Sequence, residues 1–157
     1  MERMYGVAGR ETVASMSGLE FLSGILRGEL PAAPMARQMG IAMTEVSEGR
    51  VVFEGAPGEE HLNPVGTTHG GWFGTILDSA LGCAVMSRLP AGSGYTTLEY
   101  KVNLIRGIPV GMRVRAIATA DHVGRSTGVA SADLVGIEDG RLYAQGSTTC
   151  LVMRIAP

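Results

Sequence analysis

Cysteine is scarce. Cys83 and Cys150 are the only two among 157 residues, they lie far apart, and they form no CxxC pair. This excludes a disulfide framework and the common zinc spacings, and it fits a reducing, cytoplasmic setting. Aromatic residues make up 5% of the chain, and 13 basic against 15 acidic side chains leave a formal charge of −2. A nucleic-acid binder carries a basic surplus and stacking aromatics, so no nucleic-acid partner is expected. Charged residues reach only 18% against 45% hydrophobic, the reverse of a disordered chain. No apolar run approaches the ~18 residues of a membrane span. The opening MERMYGVAGRE lacks the apolar stretch of a secretory signal. The GxSxG elbow of α/β-hydrolases and the GxxxxGK[ST] phosphate loop are also missing.

Glycine is abundant instead. There are 23 glycines, roughly twice the usual ~7% share, as expected where backbones approach closely or φ turns positive. Residues 1–17 are weakly patterned and read as a flexible tail, or as a piece that orders only on a neighbour, which leaves 18–157 as one domain. Leu19, Leu22, Ile25 and Leu26 recur at helical spacing, with Gly28 as the stop and Pro31 and Pro34 preventing continuation. Strands are predicted at 41–47 and 50–55, turning at Glu48-Gly49. A Gly/Pro/His-rich loop over 56–71 is longer than most connections, and long loops in compact domains are commonly functional. Residues 70–87 form the main helix. Trp72, Ile76, Ala80 and Ala84 make one row and Phe73, Leu77, Leu81 and Val85 the next, so the helix is buried. Strands follow at 95–105, 111–120, 126–136 and 142–153, with a hairpin signal at Asp139-Gly140. The order points to an α+β fold, an antiparallel sheet wrapped around a central helix.

Asp78 is the first chemical anomaly. A carboxylate within an apolar helix is costly unless it is solvated or partnered. It is either a structural group bonded to a neighbour such as Thr75, or a catalytic carboxylate with Gly74 and Gly82 leaving room for a ligand. The second anomaly is His69-Gly70-Gly71 at the helix start, where unpaired N–H groups form an oxyanion site unless His69 simply caps the turn. Gly70 and Asp78 are separated by about 12 Å along the axis, too far to serve one carbonyl. Two antiparallel copies bring the start of one helix to the middle of the other, so a shared site requires at least a dimer. The third feature is the turn Gly124-Arg125-Ser126, which suits phosphate if it is more than an exposed hairpin; Arg106 and Lys101 are further candidates. His61, His69 and Asp78 match no zinc signature, so no metal is expected. Cys83 reads as a small core residue.

The run Asn63-Pro64-Val65-Gly66-Thr67-Thr68-His69-Gly70-Gly71, followed by Asp78-Ser79-Ala80, resembles the hotdog-fold acyl-CoA thioesterases. The branch it is most similar to is the phenylacetic-acid-degradation (PaaI-like) type. The strand TTLEYKVNLIRGIP and the turn GRST resemble later family elements, and the resemblance spans roughly residues 18–153. It implies a hotdog fold, a dimer or a dimer of dimers, and hydrolysis of an acyl-CoA thioester with no separate cofactor, coenzyme A being part of the substrate. It makes Asp78 the general base or nucleophile and the Gly70 N–H of the partner subunit the carbonyl polariser. Asn63 would hold the attacking water or the carbonyl region, and His69 would orient the loop or meet the thioester. Thr97 would help place the water, although strand alternation puts Thr96 rather than Thr97 on the face of Leu98 and Tyr100. Gly71, Arg106, Gly124, Arg125 and Ser126 would contact coenzyme A. The alternative is a non-catalytic acyl-CoA-binding module, and a hydratase acting on the acyl chain is a third reading. The acyl group itself is open, with Trp72, Phe73, Met86 and Tyr100 as candidate pocket walls.

Overall fold

The computed structural model describes residues 4–155; the ends of the predicted tail and domain, 1–3 and 156–157, lie outside the described residues. Helix α1 (Arg10–Ser15) is followed by α2 (Gly18–Arg27). Ser17 and Glu20 close α2 at its start as a reciprocal capping box, and Gly28 ends it at φ +77°, a left-handed conformation that glycine adopts without a Cβ clash. Helix α3 (Pro34–Gln38) begins on proline, whose missing N–H costs nothing at that position. Strands β1 (Ile41–Ser47) and β2 (Arg50–Gly55) form the predicted hairpin. After a short 3-10 turn at Glu59–His61 comes α4 (Gly70–Met86), then β3 (Ser93–Leu104), β4 (Val114–Val123), β5 (Thr127–Gly136) and β6 (Leu142–Arg154). The strand predicted at 111–120 starts three residues later, because Gly111 and Met112 turn back on Pro57 and Pro109.

All six strands pair antiparallel in the order β1-β2-β4-β5-β6-β3, and α4 packs against every one of them. The reason is complementary size. Both predicted helix rows are buried. The sheet face opposite them is built from small residues: Val114, Ala116, Ala118 and Ala120 on β4, and Gly128, Ala130 and Ala132 on β5. A Cβ at Gly128 would stand 2.5 Å from Val85, and one at Gly146 would stand 3.3 Å from Leu81. The strand glycines therefore let the helix approach. This is the α+β architecture expected, an antiparallel sheet around a central helix.

Residues 4–17, expected as a flexible tail, hold α1 and make backbone bonds to the body. Gly6 donates to Ala32 (2.9 Å) and Gly92 donates to Ala14 (2.8 Å). Among the described residues no helix is long and apolar enough to cross a membrane, and no cluster of three or more His, Cys, Asp or Glu is arranged to hold a metal ion.

Candidate active site

Between Trp72 and Met86 only Thr75, Asp78, Ser79 and Cys83 escape full burial. Their spacing of three to four residues puts them on one stripe of α4. That stripe is one wall of a cavity of about 500 Å³. The other walls are Leu22 and Ile25 of α2, Met35 and Ala36 of α3, Ala42 and Met43 of β1, Phe53, and the rings of Tyr95 and Tyr100. Asp78 thus sits on the rim of an apolar chamber.

Strand β3 orients the carboxylate. The Thr97 hydroxyl donates to Asp78 Oδ1 at 3.1 Å. Simple alternation puts Thr96 on this face, and the structure corrects it. The β3–β6 register slips between Thr97 and Glu99, so Leu98 is an extra, exposed residue. A bulge re-aims the side chains beyond it, and Thr97 and Tyr100 end up facing the helix together. The glycines flanking Asp78 also have a different use from the one expected. Gly74 and Gly82 do not leave open space for a ligand; they admit tyrosine rings. A Cβ at Gly74 would stand 3.0 Å from the Tyr100 hydroxyl, and one at Gly82 would overlap the Tyr95 hydroxyl. Asp78 is therefore bracketed along the helix by two tyrosines.

Desolvation dominates the electrostatics here. It pushes the Cys83 thiol up to about 12, with the Asp78 charge adding to the effect, so Cys83 is a protonated thiol at neutral pH. Tyr95 is raised well above its ordinary value by burial first, then by Cys83 and Asp78. Cys150, buried and opposite Thr97 across the β3–β6 pairing, is raised by burial as well.

At the helix start, His69 is the cap. Its Nδ1 accepts from the Gly71 N–H at 2.8 Å, and its carbonyl accepts from Trp72 at 3.0 Å. Among the described residues the Gly70 N–H makes no hydrogen bond, and Gly70 is exposed. One first-turn donor is thus consumed and its neighbour presented outward. Asn63 organises its own loop. Its Oδ1 accepts from Val65 and Thr67 N–H groups (both 3.1 Å), and its Nδ2 donates to the Thr67 hydroxyl (2.7 Å).

His61 has a role that the sequence pattern did not reveal. The ring is buried; Nδ1 accepts from Gly58 N–H (2.8 Å) and Nε2 donates to the Gln38 carbonyl (3.0 Å). Its own carbonyl accepts from His69 N–H at 2.8 Å. It ties α3 to the loop that carries His69 and Gly70. A histidine in an irregular loop offers no periodic signal for such a role.

The five residues expected to hold coenzyme A fall into two groups. Gly71 lies at the helix start, and Arg106 at the β6 beginning, where its guanidinium donates to the Leu142 carbonyl. Gly124, Arg125 and Ser126 form the β4–β5 turn near Val152. Because β3 and β6 pair from Ser93↔Arg154 to Leu104↔Ala144, these groups stand about 35 Å apart along the strands. One chain cannot bring them to the same phosphate. Gly124 and Arg125 line a cleft of about 420 Å³ with Arg88 and Arg154, which the sequence reading did not single out. Arg88, Arg125 and Arg154 form no ion pair among the described residues. Of the four candidate pocket walls, only Tyr100 lines the main cavity. Trp72 and Phe73 are core residues, with Trp72 Nε1 tied to the Met39 carbonyl at 2.9 Å, and Met86 is buried at the helix end.

A long helix wrapped by an antiparallel sheet, with a carboxylate in mid-helix and a free donor at its start, defines the hotdog class of thioester-processing folds. Comparison with known proteins agrees: the model of the thioesterase superfamily matches residues 65–143, just over half of the chain. The chain belongs to the thioesterase superfamily, and it is a hotdog-fold thioesterase. Human acyl-coenzyme A thioesterase 13 is 29% identical over 132 residues, covering 82% of this chain and 91% of the human protein. The crystal structure of a phenylacetic acid degradation-related protein from Ralstonia eutropha JMP134 superposes with TM-score 0.75 at 28% identity, covering 83% of this chain and 98% of that one. A variant of the phenylacetic acid degradation protein PaaI from Thermus thermophilus gives 0.68 at 27% identity, covering 75% and 97%.

Proposed function

We propose that this protein hydrolyses acyl-CoA thioesters to the free acid and coenzyme A, with Asp78 as general base or nucleophile. The observation that carries this reading is Asp78 on the rim of an apolar cavity, its carboxylate held by the Thr97 hydroxyl. Such a cavity takes the acyl group, and its rim is where the thioester carbonyl then lies. A carboxylate within reach of a bound water or of the carbonyl can serve as general base or as nucleophile. A thioester is already activated, so no Ser or Cys nucleophile is required. The thiol of Cys83, protonated at neutral pH, is a poor competitor for that role.

The carbonyl polariser comes from a second copy. Gly70 is about 12 Å from Asp78 along the same helix, and its N–H is turned outward. Strand β3 is a sheet edge of 12 residues with exposed Leu98, Tyr100 and Leu104. Pairing β3 with its twofold copy covers that edge and lays the two α4 helices antiparallel. Gly70 of the partner subunit then faces Asp78. Asn63 and His69 shape the loop that presents it. The same twofold offsets the 35 Å separation, bringing the Gly71 and Arg106 group of one subunit toward the Gly124–Ser126 turn of the other. The arginines of that turn's cleft suit the phosphates of coenzyme A.

The test is a free-thiol assay with aromatic, short-chain and medium-chain acyl-CoAs, on wild type beside Asp78→Asn. The expected result is thiol release by wild type and a loss of two or more orders of magnitude in a folded variant. Tight acyl-CoA binding without release by either protein would instead identify a binding module. A changed acyl group still attached to coenzyme A would identify a hydratase.

A further inference from the structure

We propose that the α2–α3 cap selects the acyl group, with a wall of alanines setting the chain length the enzyme accepts. The inference rests on the thioesterase reading and extends it to substrate class. The cavity beside Asp78 is not closed by the sheet and α4 alone. Leu22 and Ile25 of α2, and Ala32, Ala33, Met35 and Ala36 in and before α3, form its far wall, with Ala42 continuing on β1. The wall is held in place. Ala32 exchanges backbone bonds with Met4 and Gly6, both at 2.9 Å, and His61 ties the end of α3 through Gln38. A fixed wall with four alanines leaves volume that larger side chains would fill.

Size and polarity define the ligand. At ~30 Å³ per water-sized group, about 500 Å³ accepts on the order of fifteen such groups. An acetyl group leaves most of that space empty, whereas a medium-length chain or an aryl-acyl group fills it. Each methylene buried strengthens binding about fourfold. The lining contains one carboxylate, Asp78, and no Lys, Arg or His. A second carboxylate at the far end of the acyl group would be buried without a cation, beside apolar walls. The selected class is therefore neutral, apolar acyl groups of medium size, with dicarboxylic acyl groups rejected.

Three comparisons of kcat/KM test this. Wild type should favour decanoyl-CoA over butyryl-CoA by at least tenfold. It should favour hexanoyl-CoA over adipoyl-CoA, which has the same chain length with a terminal carboxylate, by at least tenfold. Ala36→Leu adds about three methylene-sized groups to the wall. It should lower the decanoyl-CoA value at least tenfold more than it lowers the butyryl-CoA value. Should Ala36→Leu fail to fold, Ala33→Leu at an exposed position of the same wall carries the same expectation. Equal losses on both chain lengths, or a wild type indifferent to chain length or to the carboxylate, would overturn the proposal while leaving the thioesterase reading intact. A wild type that hydrolyses none of the four would overturn the proposal, and one that also releases no thiol from an aryl-acyl-CoA would remove the thioesterase reading itself.

Discussion

Asp78 and Thr97 are nineteen residues apart in sequence and share a 3.1 Å hydrogen bond in the fold. A hydrogen bond to a charged group contributes about 1.5–3 kcal/mol. Thr97→Val keeps the shape and removes the donor, so turnover should fall about tenfold, less than for Asp78→Asn, and Thr97→Ser should restore most of it in steady-state assays. Cys83 gives a prediction in pH. Its thiol is raised from about 9 to about 12 in the fold. The native state therefore holds this proton to higher pH than the unfolded chain does. Stability contributed by the neutral thiol is complete below pH 9 and declines as pH rises toward 12. Denaturation midpoints measured across that range should fall, and Cys83→Ala should make the fall shallower; Tyr95 acts in the same direction and leaves a remainder. Asp78 was legible in the sequence because a carboxylate interrupts an apolar helix. Its partner Thr97 was named by the family resemblance alone; alternation favoured Thr96, because a bulge at Leu98 has no reliable sequence signature and inverts the pattern.

The two longer helices and the hairpins were legible, because capping and turn chemistry are local, whereas the short α1 and α3 were not. Ser17 with Glu20, Gly28, Pro34 and Asp139-Gly140 each act within a few residues of themselves. Their tertiary contacts then override local preference. Gly18 begins α2, where alanine has the higher helix propensity by ~1 kcal/mol. A Cβ there would overlap the Met86 carbonyl, a backbone atom at the end of α4 that cannot swing aside. Gly18→Ala should therefore destabilise the protein, by about 1–3 kcal/mol as overpacking does, in urea denaturation. A stabilised Gly18→Ala variant would show that the α2–α4 contact yields easily. The flanking glycines of Asp78 follow the same rule: their spacing was visible, but not that Tyr95 and Tyr100 would occupy the notches.

For the whole molecule, the exposed edge of β3 is the consequential feature. A 12-residue edge strand carrying exposed Leu98 and Leu104 invites pairing unless it is covered. In the proposed dimer, Leu98→Lys with Leu104→Lys places like charges on both copies of that edge. The expected outcome is a shift to monomer in sedimentation, unchanged secondary structure in circular dichroism, and loss of thiol release. Full activity in a verified monomer would show that one chain suffices, and would remove the partner's Gly70 from the mechanism.

The one-dimensional pattern was enough to place a buried central helix, the strands around it, and Asp78, His69 and Gly70 as residues that depart from the core pattern. Hydrophobic period, turn residues and an out-of-place charge act over short separations and leave their mark in order along the chain. The cavity beside Asp78 left no such mark. It arises where α2, α3 and β1 face α4 across a gap, and a gap is a property of surfaces that fail to meet, not of any residue. The same holds for Thr97 on Asp78, His61 between α3 and the loop, and the arginines gathered around Gly124. Each depends on segments far apart in sequence whose approach is set by side-chain volume and strand register, and those become definite only when the sheet closes on its helix.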